Sequence, residues 1–249
     1  MRITTFLLIV CLGNPVLADM VEDLKLGLIK SCIGCDLRDI NFKKIDLSYV
    51  NFSNSNIEGV TFHRAKLTGA IFENSNLVDV NFNLADLDRV NFKGASIKNS
   101  FYYEAKLAGA DFSFAKLSEL RMQKSRLTLA NFSGADLDSI SFLDGRLNRV
   151  NFSNSSMRNI DFSRASLGRS SFKGSSIEST SIVDCDANRT IFTNARIKKT
   201  DFLRTDLRLS EFNGARISGS RFLQAKIGRR ILSTAKITSS VMSDGKLID

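Results

Sequence analysis

NFNLADLDRVNF, Asn81 to Phe92, returns an apolar residue at Phe82, Leu87 and Phe92, five apart each time. On an α-helix five residues advance a side chain by about 500°, so a period of five smears around the cylinder. On a flat strand an odd period alternates faces. A fixed inward direction every five residues therefore requires the backbone to turn once per unit. Short straight pieces joined by corners and wound into a solenoid satisfy this.

The register extends outward from this stretch, from Cys35 to the C-terminus without an insertion. Positions ending in 2 or 7, from Leu37 to Leu247, carry no charged residue. Those ending in 2 are mostly Phe; those ending in 7 are Leu or Ile except Met157 and Ala187. Two residues earlier stands a small or β-branched residue in most units, with Arg230 the one charged exception. The remaining columns are polar.

The steps Ala85-Asp86-Leu87, Ala135-Asp136-Leu137, Asn131-Phe132 and Asn151-Phe152 resemble the pentapeptide repeat family, whose unit is roughly A-(D/N)-L-x-x. The resemblance implies an all-β fold, a right-handed quadrilateral β-helix with four units per coil. In such a pentapeptide-repeat solenoid the central Leu/Phe and the small residue two before it point inward. Four sides would put Phe on two opposite walls and aliphatics on the other two. With coils about 4.8 Å apart, nearly eleven coils give a rod about 50 Å long.

The 249 residues, 43% of them hydrophobic, suffice for one sizeable core. Residues 1–18 read as a secretory signal peptide, with Arg2, the apolar run Ile3–Leu12 and small residues before a cut at Ala18-Asp19. A buried strand or a short membrane anchor is the alternative for this segment. The mature chain is then exported, to the periplasm or outside the cell, with no transmembrane segment. Residues 19–31 read as a capping helix with Val21, Leu24 and Leu28 on one face and Asp19, Glu22 and Asp23 at its start. Residues 32–249 form the β-helix, whose last coil looks uncapped. That open end could pack on a second copy as a homodimer, or fray.

Cys32 and Cys35 form a lone C-x-x-C at the first coil, open to three readings: a structural pair as thiols or disulfide, plain packing, or redox or metal chemistry. Similar C-x-x-C-D-L sequences lead into the first coil in the resembled family. Cys185 reads as a buried small hydrophobe. The single histidine, His63, stands in an outward column beside Arg64, which leaves no partner for Ser-His-Asp or Cys-His catalysis. The carboxylate pairs Asp86/Asp88, Asp136/Asp138 and Asp184/Asp186 lack any mark of a cleft. No catalytic, cofactor-binding or metal residue is assigned.

The net charge of +9 favours anionic partners. Stacking at twenty-residue intervals gathers Lys106, Arg126, Arg146, Arg149, Arg169, Arg189, Arg208, Lys226 and Arg229 on one face, against Asp186 and Asp206. Arg196, Lys198, Lys199, Arg216 and Lys236 collect on the opposite face near the C-terminal end. Phe101, Tyr103 and Phe114 are expected to point outward. The residues leave several functions open. One is an exported, non-enzymatic scaffold or binding rod whose basic face docks on envelope polysaccharide or acidic lipid headgroups, with nucleic acid an unlikely partner after export. A second is a DNA mimic acting on a topoisomerase, known among the resembled family and normally acidic. A third is a cell-envelope enzyme.

Overall fold

Four backbone N–H groups show how a five-residue unit holds itself and its neighbours. Asn81 donates to Val60 O of the preceding coil at 3.0 Å, and Phe82 donates to Phe101 O of the following coil at 2.8 Å. Leu84 donates to Tyr103 O at 2.9 Å, and Ala85 donates back to Phe82 O at 3.0 Å, closing a turn. The third residue of that turn, Leu84, has φ 61°, the sign a type II turn requires at this position. The backbone polar groups are thus consumed between coils and within corners, as burial demands.

The computed structural model describes residues 15–228 and 233–248. Chain pairing runs parallel with a constant offset of twenty residues. The first wall is a continuous sheet of eleven three-residue strands, from β1 (Asp36–Arg38) to β11 (Lys236–Thr238). The other three walls are joined by single bridges such as Asn41↔Thr61 on the second, Asp46↔Lys66 on the third and Asn51↔Ile71 on the fourth. Four units per coil and a parallel β-solenoid are the observed architecture.

Every central Leu/Phe position from Leu37 to Phe222 is buried, while Ile40 and Ile45, at the other inward column of the first coil, are partly buried. Phenylalanines line the second and fourth walls. On the fourth, rings from Phe52 to Phe212 stack face to face with centroids 4.6–5.0 Å apart. Across the axis the two walls meet edge to face, as for Phe72 and Phe82 at 6.0 Å and 87°. Each buried ring contributes about 1.5–3 kcal/mol by leaving water, and each ring pair about 0.5–1.5 kcal/mol more. Where serine takes the small inward site, its hydroxyl is satisfied: Ser75 Oγ donates to Phe52 O at 2.7 Å.

Both ends differ from the sequence expectation. The helix α1 spans Pro15–Lys25 rather than 19–31, and no acid lies in its first turn. It stops because Gly27 adopts φ 72°, with Gly27 N–H bound to Leu24 O at 3.1 Å and Leu28 N–H to Asp23 O at 2.8 Å. This is the Schellman closure of a helix. It swings Leu28 off the helical face, leaving it 69% exposed, while Val21 and Leu24 stay buried over the first coil. The signal-peptide reading falls outside the described residues up to position 14.

At the other end parallel pairing continues through β11 and the Arg221↔Val241 bridge, but the core loosens. Ile227, Ile237 and Met242 are only partly buried, and Leu247 is 62% exposed. Instead of a bare last coil, β12 (Ser240–Val241) and β13 (Leu247–Ile248) pair antiparallel as a hairpin. Met242 N–H donates to Lys246 O at 2.7 Å across its turn. The chain doubles back after Val241, where a further coil would have continued in parallel. Arg229 and Arg230 lie outside the described residues.

Candidate anion-binding face

The constant offset places each candidate cation. Backbone bridges run Lys106↔Arg126 and Arg126↔Arg146 along the third wall. Arg149 N–H donates to Gly168 O, Arg169 N–H to Asn188 O and Arg189 N–H to Arg208 O, at 2.9–3.0 Å. The three arginines therefore occupy one corner, between the third and fourth walls, on successive coils about 4.8 Å apart. Their φ values are 60°, 62° and 58°, a left-handed conformation that costs a non-glycine residue roughly 1–2 kcal/mol.

The eight cations among the described residues are not equivalent. Lys106 is held by Asp86 at 3.2 Å. Arg208 folds onto Asp206 at 2.6 Å, and that contact holds the Asp206 carboxyl below its ordinary range. Arg126, Arg146, Arg149, Arg169, Arg189 and Lys226 make no ion pair among the described residues. The neighbouring corner, between the second and third walls, is arranged oppositely. It reads Glu104, Lys124, Asp144, Arg164, Asp184, Arg204 on successive coils. Arg164 Nε donates to Asp144 Oδ1 at 2.7 Å and Arg204 Nε to Asp184 Oδ1 at 2.6 Å. These bonds lower the pKa of both carboxyls and raise those of the arginines. One corner neutralises itself; the other stacks like charges.

Between the arginine corner and the third wall lies a depression of about 420 Å³, lined by Asn148, Arg149, Gly168, Arg169, Asp186, Asn188, Arg189, Asp206 and Arg208. Gly168 is part of its lining. A side chain there would begin 3.1 Å from Asn148 Oδ1. Sequence reasoning found the arginines but missed Asn148, Gly168 and Asn188. The available signal was their own twenty-residue column, in which Gly168 interrupts larger residues. On the opposite face, Arg196, Arg216 and Lys236 stack in register, while Lys198 is held by Glu178 at 3.1 Å.

The remaining candidates resolve as local structure. Cys32 and Cys35 are joined by a disulfide with Cα atoms 5.4 Å apart, and Cys35 Sγ lies 3.9 Å from Met20 Sδ of the capping helix. Cys185 is buried, which pushes its thiol up to about 12 and makes it a poor nucleophile at neutral pH. His63 sits near Lys43, Lys44 and Arg64; its partial burial first, then those cations, lower its pKa. Asp88 Oδ1 accepts the Ala108 N–H and Asp184 is taken by Arg204, so neither carboxylate is aimed at a cleft. Phe114 and Tyr103 are exposed, and Arg121 lies 5.2 Å above the Phe101 ring. Among the described residues no cluster of His, Cys, Asp and Glu could hold a metal, and no helix is long and apolar enough to cross a membrane.

A four-walled parallel solenoid built on five-residue units is the architecture of pentapeptide repeat proteins. The family model described as pentapeptide repeat region matches residues 31–102 and 95–172, and that described as pentapeptide repeats (8 copies) matches residues 188–224. The chain belongs to the pentapeptide repeat family. Its fold is similar to that of HetL, a pentapeptide repeat protein involved in heterocyst differentiation regulation from the cyanobacterium Nostoc sp. strain PCC 7120. The two share 16% identity and a TM-score of 0.55, over 93% of this chain and 97% of the other. QnrB1, a plasmid-mediated fluoroquinolone resistance protein, aligns at 22% identity and TM-score 0.41, over 70% of this chain and 86% of its own. A pentapeptide repeat protein from the Arabidopsis thaliana thylakoid lumen aligns at 24% identity and TM-score 0.30, over 49% and 68%. No curated protein sequence matches the chain.

Proposed function

We propose that this protein is an exported, non-enzymatic binding rod that docks through its third wall onto an anionic component of the cell envelope. The observation that carries the reading is the unpaired ladder of Arg149, Arg169 and Arg189. Like charges stacked one coil apart repel. The adjacent corner demonstrates that this scaffold accommodates compensating acids at the same spacing. A stacked, uncompensated column fits an anion supplied from outside, which would gain charge-assisted hydrogen bonds from the guanidinium groups. Export is supported by the apolar stretch Ile3–Leu12 behind Arg2 and by the Cys32–Cys35 disulfide, a bond that persists in oxidising compartments. The alternative of a DNA mimic asks for an acidic surface, and the net charge here is +9.

The test is retention on an immobilised polyanion across a salt gradient. Replacing Arg149, Arg169 and Arg189 by Asn keeps the fold, because Asn54, Asn74, Asn154 and Asn194 already occupy equivalent corners with positive φ. The triple variant is expected to elute at distinctly lower salt. A control triple, Arg196→Ser, Arg216→Ser and Lys236→Ser, removes the same charge from the opposite wall and is expected to change retention less. Equal loss from both triples, or none from the first, refutes docking through the third wall.

A further inference from the structure

Resting on that reading, the groove beside the ladder also carries information about what the anion is. We propose that it takes an extended acidic polysaccharide lying along the rod axis, with one carboxylated sugar opposite each coil from Arg149 to Arg189.

Spacing is the first argument. The three arginine backbones succeed one another once per coil, about 4.8 Å apart. A nucleic acid duplex carries one charge per about 1.7 Å of axis, about 3.4 Å along each of its strands, so a duplex would crowd more charge into the groove than the ladder answers. An extended chain of pyranose rings advances by about one coil height per ring. With one carboxylate on each sugar, it carries charge at an axial interval close to that of the ladder.

The groove's other groups decide between sugar and bare charge. Asp186 and Asp206 lie in the lining. Two carboxylates repel a densely charged polymer but accept hydrogen bonds from hydroxyls. Asp206 is occupied by Arg208, whereas Asp186 uses one oxygen on the Asn188 N–H at 3.2 Å and keeps the other free. The side-chain amides of Asn148 and Asn188 make no hydrogen bond among the described residues, leaving donors and acceptors facing the same space. Gly168 between them lets a ring approach the backbone. Leu129 and Leu209, both exposed, continue the corner column beyond each end of the arginine run, so charge recognition stops after three coils. They offer apolar contact for the C–H faces of flanking sugars.

Calorimetry of the full chain with oligogalacturonates of increasing length is the test, with polyphosphate and oligothymidylate of matched charge as comparators. Affinity is expected to rise with length and level off near three to four sugars, and methyl-esterified oligomers are expected not to bind. The discriminating variant is Gly168→Thr. Thr68 and Thr128 hold the same column, so the fold tolerates it, and no charge changes. It is expected to weaken oligogalacturonate binding about tenfold while leaving retention on polyphosphate unaltered. If polyphosphate or oligothymidylate binds as tightly as the sugar acid and Gly168→Thr has no effect, the polysaccharide assignment falls and general anion docking stands. If no polyanion binds, both fall.

Discussion

Replacing Tyr102 with Phe is expected to stabilise the rod. Tyr102 occupies an inward site of the second wall, wholly buried, stacked on Phe82 at 4.9 Å and 19°. Its hydroxyl reaches no hydrogen-bond partner. A hydroxyl buried without a partner costs about 1–3 kcal/mol, and Phe at this site keeps the ring stack while removing that cost. The vacated volume is a single oxygen, next along the column to Met122, a side chain that adapts to irregular gaps. A net gain of about 1–2 kcal/mol follows. It should appear as a higher urea midpoint with unchanged slope, followed by far-UV circular dichroism. A second signature comes from pH. Burial raises the Tyr102 phenol well above its ordinary value. The folded state then retains a proton that the unfolded state releases, so stability holds below the ordinary phenol range and is lost as pH climbs above it. The variant should lose less stability in that alkaline window than the parent. A destabilised Tyr102→Phe protein would refute the reasoning, because it would mean the hydroxyl is bonded in the folded rod.

Two further outcomes are expected. Reducing the Cys32–Cys35 disulfide, or replacing both cysteines with Ser, should cost about 2 kcal/mol, as for a short closed loop; hydrogen exchange should accelerate in α1 and the first coil and nowhere beyond, whereas faster exchange along the whole rod would contradict a role confined to the cap. His63, the only histidine, should titrate in NMR below the ordinary imidazole range, and salt should move it upward by screening Arg64, Lys43 and Lys44; because the folded value is depressed, its small contribution to stability is lost as pH falls through that range, and a titration above the ordinary value would show that desolvation and the three cations do not govern it.

Much of the architecture was legible because a solenoid converts sequence distance directly into position. The Phe and Leu columns announced the walls, and adding twenty to Arg149 located Arg169 and Arg189 above it. What escaped depends on single backbone conformations rather than on columns. Gly27 in the left-handed region ends α1 and displaces Leu28, although Leu28 keeps helical spacing with Val21 and Leu24. The doubling back through Met242–Lys246 likewise leaves the apolar letters at Met242 and Leu247 intact while the chain stops coiling. The groove escaped for another reason. Asn148, Gly168 and Asn188 are unremarked polar or small residues in sequence, and acquire meaning only as a missing side chain between two free amides. The self-neutralising corner was present in the letters at twenty-residue intervals, and comparing it with the arginine corner is what separates a solvated charge from an unanswered one.

The constant offset between coils also sets rules for how such a gene can change length. Losing or gaining twenty codons within the repeats removes or adds one complete turn and returns every downstream residue to its own wall. Five codons keep the inward columns inward but rotate the downstream rod by one wall, setting phenylalanine columns above leucine columns and carrying the arginines away from their corner. One codon breaks the phase outright. Any surface pattern on such a rod is therefore inherited in blocks of a full turn, and the rod can lengthen by copying without any new fold being invented.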